Sequence, residues 1–215
     1  MKKTDLAKKV TKILKKQRGE VKAELDWSTK YPYQLVIAVI LSAQATDLGV
    51  NRATKDLFKK YKTPQDFAKA KIEDLTPYTK SINYYNTKTE RIIKNANELI
   101  SLYGGVIPKT IKQLIKLSGV GRKSANVILQ EIYGIGEGVV VDTHMTRVTN
   151  RLGLQKFDDQ KYAKKIEETL NGIVPKSLYK DFSQLIVLHG RYVCKARKPN
   201  CEECHLNKIC PSAFK

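Results

Sequence analysis

Four cysteines, spaced as Cys194-x6-Cys201-x2-Cys204-x5-Cys210, fall within the last 22 of 215 residues, and no other cysteine occurs in the chain. This is the tightest constraint on the fold. Four thiolates inside 17 residues can surround one centre, and both tetrahedral zinc and an iron–sulfur cluster take four Cys ligands. The x2 spacing does not separate the two. A disulfide framework would spread through the fold and accompany a secretion signal. The start, MKKTDLAKKV, has charges but no apolar h-region, so a metal site in a reducing compartment is the expectation. Lys195, Arg197 and Lys198 lie between the first two ligands, and a stapled loop carrying cations suits phosphate contact.

Lys and Arg number 40 against 21 Asp and Glu, a formal net charge of +19. Such a charge opposes compaction unless something anionic offsets it, nucleic acid first and an anionic membrane surface second. Hydrophobic residues make up 41%, enough for a core, which excludes a disordered basic tail. The longest apolar run, Leu35 to Leu41, has seven residues, where a membrane span needs about 20. Nine Lys and Arg lie among residues 1–22. A solvated helix face and a direct nucleic-acid contact both account for them.

The hydrophobic pattern is helical almost throughout. Leu6, Val10, Ile13 and Leu14 form one stripe. Pro32 opens a segment, Tyr33 to Ala43, that is apolar on all sides and reads as a buried helix. Thr46 or Asp47 caps a helix through Tyr61, and Thr63-Pro64 opens a short one. Ile92, Ile93, Ala96, Leu99, Ile100 and Tyr103 mark a longer helix stopped by Gly104-Gly105. Short helices are expected from Ile111 to Leu117 and from Arg122 to Tyr133. Val139 to Val141 reads as extended, and further helices as starting at Asp142-Thr143, Asp159 and Ser177. Nothing alternates with period two for long, so the class is all-α.

Three motifs carry chemistry. In LSGVGRK, Gly119 and Gly121 allow a tight turn and close backbone approach to a ligand, and the helix that follows offers free N–H groups to a phosphate. This is the shape of a helix-hairpin-helix, although GVG is also a common interhelical turn. Lys123 stands in that first turn, where the helix N-terminus and Arg122 both disfavour a charged ammonium. A lysine so placed is a candidate nucleophile for Schiff-base chemistry. Asp142 reads as an N-cap whose ionised carboxylate could stabilise positive charge on a sugar. His144, two residues on, suits a phosphate contact or a satisfied structural histidine. Gln44, among small residues at the end of the buried helix, offers both a donor and an acceptor.

Taken in order, LSAQATD, LSGVGRKSANVIL, VDTH, HGRYVC and the cysteine tail resemble endonuclease III, the iron–sulfur branch of the helix-hairpin-helix DNA glycosylases. The resemblance runs from about Asp26 to Cys210. It implies two helical domains flanking a DNA-binding cleft: a helical barrel carrying the hairpin over 24–136, and an iron–sulfur cluster domain from 1–23 with 137–215. It implies a 4Fe–4S cluster on the four cysteines, Lys123 as catalytic lysine, Asp142 as catalytic aspartate, and Gln44 filling the gap left by an extruded base. The implied activity is a bifunctional DNA glycosylase and AP lyase of base excision repair, removing oxidised pyrimidines. The implied partner is double-stranded DNA holding damaged bases or abasic sites. A monomer is expected, cytoplasmic and associated with the nucleoid in a prokaryote. The lysine argues against the related adenine glycosylase, which lacks it.

Three positions depart from the family pattern. Ser118 replaces the usual proline, Asn83 the usual glycine, and Tyr84 the usual aliphatic wedge that probes the opposite strand. Asn tolerates a left-handed backbone, and tyrosine can still intercalate. The departures bear on base preference, leaving mismatched thymine, uracil or another damaged base as alternatives on the same fold. A non-catalytic DNA-binding module with a structural metal, or a zinc-stapled basic scaffold, also fits charge, hairpin and cysteines.

Overall fold

The computed structural model describes residues 1–19 and 24–215. Glu20 and Lys22 of the N-terminal charge run, and residue 23 at the expected domain boundary, lie outside the described residues. Among the described residues there are helices and no strands. They run α1 (Lys3–Arg18), α2 (Tyr33–Ser42), α3 (Asp47–Lys60), α4 (Pro64–Lys69), α5 (Ile72–Thr79), α6 (Tyr85–Tyr103), α7 (Ile111–Leu114), α8 (Arg122–Tyr133), α9 (Thr143–Arg151), α10 (Ala163–Ile173) and α11 (Tyr179–Tyr192). None of them is long and apolar enough to cross a membrane. The chain divides into two compact units, Ala23–Gly134 and the combination of Met1–Lys22 with Ile135–Lys215.

The continuous unit is built around α2. Every residue from Tyr33 to Leu41 is buried, as expected of a helix with no polar face. Helices α3, α6 and α8 pack directly on it. Full burial of a Leu or Ile side chain contributes about 1.5–3 kcal/mol, so a charge at Ile37 or Leu41, both fully buried, would break the unit. The surrounding helices stop and start on local chemistry. Thr46 accepts from Gly49 N–H to open α3. Thr63 and Asp66 form a reciprocal capping box on α4. Left-handed glycines, Gly104 and Gly134, end α6 and α8. Helix α5 has no counterpart in the sequence reading, because Pro77 lies inside it and reads as a breaker. Helix α7 stops at Leu114, short of the expected Leu117: the chain passes into tight turns from Ile115 onward.

The discontinuous unit packs α1 and α9 against α11, with α10 against α1. Ala7, Val10, Thr11 and Leu14 form the buried face of α1, while Leu6 and Ile13 of the expected stripe are partly buried at its edge. Val139 to Val141 is not in a sheet. Side chains take the place of a neighbouring strand: Val139 N–H donates to Asn171 Oδ1 at 2.9 Å and Val140 N–H to Ser183 Oγ at 3.0 Å. Gly190 lets α11 approach α9 closely, since a Cβ there would lie 2.9 Å from the His144 Cβ.

Candidate functional site

The turn between α7 and α8 is pinned from below. Ser118 donates its backbone N–H to Glu98 Oε2 at 2.6 Å and its hydroxyl to Glu98 Oε1 at 2.9 Å. Its carbonyl accepts from Asn95 Nδ2 at 2.7 Å, and Asn95 Oδ1 accepts from the Tyr33 hydroxyl at 3.0 Å. Gly119 then takes φ +82° with its Cα against the Ile40 side chain, where a Cβ would lie 3.2 Å away. Both facts require glycine. Gly121 caps α8 in the extended region, with nothing near a would-be Cβ. Gly119, Gly121, Arg122 and Lys123 are exposed. The hairpin thus presents backbone N–H groups and two cations on a rigid turn, an arrangement that suits a phosphate. An open groove beside it is lined by Thr87, Arg91 and Lys94 of α6 together with Ser118, Gly119 and Gly121.

Asp47, in the first turn of α3, is within electrostatic reach of Lys123. Burial raises its carboxyl above the usual range, and the lysine partly offsets this. By sequence, Asp47 reads only as a possible helix cap.

Gln44 and the segment preceding Tyr84 are linked by the side chain of Asn83. Gln44 and Tyr84 are non-glycine residues in the left-handed region, at φ +54° and +59°, and both are exposed. Asn83 Nδ2 donates to the Gln44 carbonyl at 3.1 Å. Lys88 of α6, itself buried, donates to the carbonyls of Leu41 at 2.9 Å and Ala43 at 2.6 Å.

In the discontinuous unit Asp142 does cap α9, its Oδ1 accepting from Met145 N–H at 2.8 Å. It is half-buried and attracts the Arg147 guanidinium. Arg147 also meets His144 Nδ1 at 3.3 Å and donates to the carbonyls of Gly190 and Cys194 at 2.8 and 3.1 Å. His144 is therefore held in a network with Arg147 while sitting over Gly190. Arg151, one turn on, donates to the Lys195 and Ala196 carbonyls at 2.8 and 3.0 Å and reaches Cys194 Sγ at 3.3 Å. The sequence signal for this clamp was an i, i+4 arginine pair on α9.

The four cysteines line one cavity, with Leu152, His189 and Leu206 among its walls. As the side chains stand, no group of three or more His, Cys, Asp or Glu among the described residues is gathered as a metal-binding set. The donor chemistry nonetheless fits an anionic thiolate-ligated centre. Burial pushes the Cys204 and Cys210 thiols up, and repulsion among the four adds to it, a conflict a bound cationic centre removes. His189 is buried with no hydrogen-bond partner at Nδ1. Its Nε2 lies 3.6 Å from Cys204 Sγ. Burial, with Arg18 and His205 adding repulsion, pushes it down to about 4, so it stands neutral beside the thiols. Lys195, Arg197 and Lys198 are exposed on the loop between the first two cysteines, Lys198 at φ +51°.

The hairpin with Lys123, and the Gln44–Tyr84 pair, belong to the continuous unit. Asp142, His144 and the cysteines belong to the other.

A profile of the HhH-GPD superfamily base excision DNA repair protein matches residues 37–176. The endonuclease III of Rickettsia conorii is 42% identical over 209 residues, 97% of each chain. That of Escherichia coli K12 is 41% identical over 187 residues, 87% of this chain and 86% of its own. A trapped endonuclease III–DNA covalent intermediate superposes with TM-score 0.88 at 37% identity, covering 99% of this chain and 98% of that one. A thermostable thymine-DNA glycosylase shares the fold, with TM-score 0.84 at 24% identity, covering 98% and 96% of the two chains.

Proposed function

We propose, from the premise that this chain belongs to the HhH-GPD superfamily of base excision DNA repair proteins and within it to the endonuclease III family, that it excises oxidised pyrimidines through a Schiff base on Lys123. The broader activity is that of a DNA glycosylase and AP lyase. The observation that supports the assignment to Lys123 is its place: exposed in the first turn of α8, directly after a hairpin turn held rigid by Glu98 and Ile40.

A base stacked in duplex DNA cannot be reached, so the damaged nucleotide is flipped out. Gln44 fills the gap, and Tyr84 enters the stack of the opposite strand. Gly119, Gly121 and Arg122 hold the phosphate backbone, with His144, Lys195, Arg197 and Lys198 as further phosphate contacts. The Lys123 amine attacks C1′ of the sugar, and the glycosidic electron pair leaves with the base, which takes up a proton. Asp142, held in place by the α9 amide it caps, stabilises the positive charge developing on the sugar. Ring opening gives the Schiff base. Loss of a C2′ proton then expels the 3′ phosphate by β-elimination.

Cys194, Cys201, Cys204 and Cys210 would hold a 4Fe–4S cluster, which when bound supplies a structural tie for the C-terminal loop and a centre capable of one-electron exchange. The protein works in the cytoplasm, and in a prokaryote at the nucleoid, where its DNA substrate lies.

Borohydride trapping tests the assignment. On a duplex with one thymine glycol, the protein forms a covalent protein–DNA band and Lys123→Ala does not. A band on an abasic duplex alone would keep the lyase and overturn the choice of base. No band on either, with DNA still bound, would overturn the Schiff-base mechanism.

A further inference from the structure

Gln44 and Tyr84 are 40 positions apart in the chain, yet one short stretch of sequence holds both. Tyr84 precedes α6. Its neighbour Asn83 donates to the Gln44 carbonyl at 3.1 Å. Lys88, in the first turn of α6, donates to the carbonyls of Leu41 and Ala43. Three carbonyls within four residues are thereby fixed from one helix end. This matters because the segment leaves α2 through a left-handed Gln44, a conformation that a residue with a Cβ adopts only when its surroundings enforce it. Tyr84 is in the same condition, and the residue is 68% exposed. Both side chains are therefore set outward by a scaffold that exists before any ligand arrives. Lys88 anchors that scaffold from inside: it is 4% exposed, and burial lowers its affinity for the proton.

We propose that Asn83 is a positioning residue that couples Gln44 and Tyr84 into one preformed probe of the duplex, with Lys88 as its buried anchor. The proposal rests on reading Gln44 and Tyr84 as the residues that enter the base stack. Glycine at position 83 would supply the turn but not the link, so the amide of Asn83 makes two loops act as one. Ordering them in advance reduces what must be ordered on binding, which favours fast opening of the helix. Asn83 itself touches neither sugar nor base.

The test is a double-mutant cycle on a process that needs no chemistry. A duplex with a non-cleavable tetrahydrofuran abasic site flanked by 2-aminopurine brightens when the adjacent base unstacks. The rate of brightening would be measured for Gln44→Ala, Tyr84→Ala and the double variant, with position 83 intact and again with Asn83→Gly. Direct contact or a shared network gives coupling of roughly twofold or more. We expect coupling of about fivefold with Asn83 present and coupling near unity with Asn83→Gly. Cleavage of a single-stranded abasic oligonucleotide, which requires no opening, should be unchanged in Asn83→Gly. Coupling that persists at the same size in Asn83→Gly overturns the proposal while leaving both residues as stack-entering groups. No brightening with the unaltered protein overturns that reading and the proposal with it.

Discussion

Ser118 gives both its backbone N–H and its hydroxyl to one carboxylate, Glu98, at 2.6 and 2.9 Å. A proline in its place could give neither. The chain thus stiffens its hairpin with a side-chain clamp from α6 where a ring would otherwise do so. Hydrogen bonds to a charged group contribute about 1.5–3 kcal/mol, and Glu98→Ala is expected to lower stability by about 2 kcal/mol, read from the urea midpoint. Ser118→Pro should also destabilise this chain, despite restoring the commoner residue, because Glu98 then loses both donors. Restoration of stability by Ser118→Pro would show that the clamp contributes little.

The two glycines of the hairpin should respond differently. Gly119→Ala forces a Cβ against Ile40 at φ +82°, with an expected cost of about 2 kcal/mol. Gly121→Ala meets open space and should cost under about 1 kcal/mol. If the backbone at 121 approaches a phosphate, Gly121→Ala should still weaken DNA binding by about tenfold, the equivalent of one lost contact. Denaturation and fluorescence-anisotropy titration on the same two variants would separate packing from binding.

Asp142 has a structural duty and a proposed catalytic one, and two substitutions pull them apart. Asn keeps an acceptor for Met145 N–H, so Asp142→Asn should hold stability within a few tenths of a kcal/mol. Loss of the charge should lower base excision by roughly 10²-fold or more. Asp142→Ala should lose the same activity and in addition about 1 kcal/mol of stability. Excision by Asp142→Asn at the unaltered rate would remove the carboxylate from the chemistry.

Tyr33 sets a limit on alkaline stability. Its hydroxyl donates to Asn95 in the core, and burial, with Glu98 adding to it, holds the phenol well above its usual range. The folded state keeps this proton when the unfolded state has begun to lose it. The stabilisation is therefore fully present below about pH 10, the ordinary tyrosine value, and is lost as the pH rises beyond it. Urea midpoints at increasing pH above 9 should fall, and Tyr33→Phe should flatten that fall while losing about 1 kcal/mol throughout for the missing hydrogen bond.

The cysteine cavity yields a direct assay. A preparation carrying the proposed cluster should be yellow-brown and contain iron, and Cys204→Ser should lower the iron-to-protein ratio and destabilise the C-terminal loop. A colourless protein with stoichiometric zinc would assign the site to zinc.

Local chemistry made most helices legible in advance. Glycines and caps mark the ends of α3, α6 and α8, and the all-round apolarity of α2 placed it at the centre of its unit. Helix α5 was hidden by Pro77, and the early end of α7 by an apolar pattern that continues past Leu114. The cysteines could be grouped from spacing alone. The residues that hold the candidate site in shape could not. Lys88 is one lysine among many, and a buried lysine satisfied by three-dimensional neighbours has no signature in sequence. Glu98 likewise reads as a solvated helix residue until Ser118 is folded onto it. The left-handed Gln44 depends on carbonyl partners 39 and more positions away. Such relations are written between segments and not within them.

The helix α1 packs on α11, so the first and last portions of the chain complete the same unit, while residues Ala23–Gly134 form the other without interruption. Protein synthesis gives these two architectures different timetables. The continuous unit has all its parts once its own last helix leaves the ribosome, and domains generally fold as units in that order. The strongly basic α1, made earlier, has its apolar face uncovered until α10 and α11 emerge. The cell therefore keeps a cationic amphipathic segment waiting for nearly the whole time of translation, and a truncation that removes α11 leaves it without that partner.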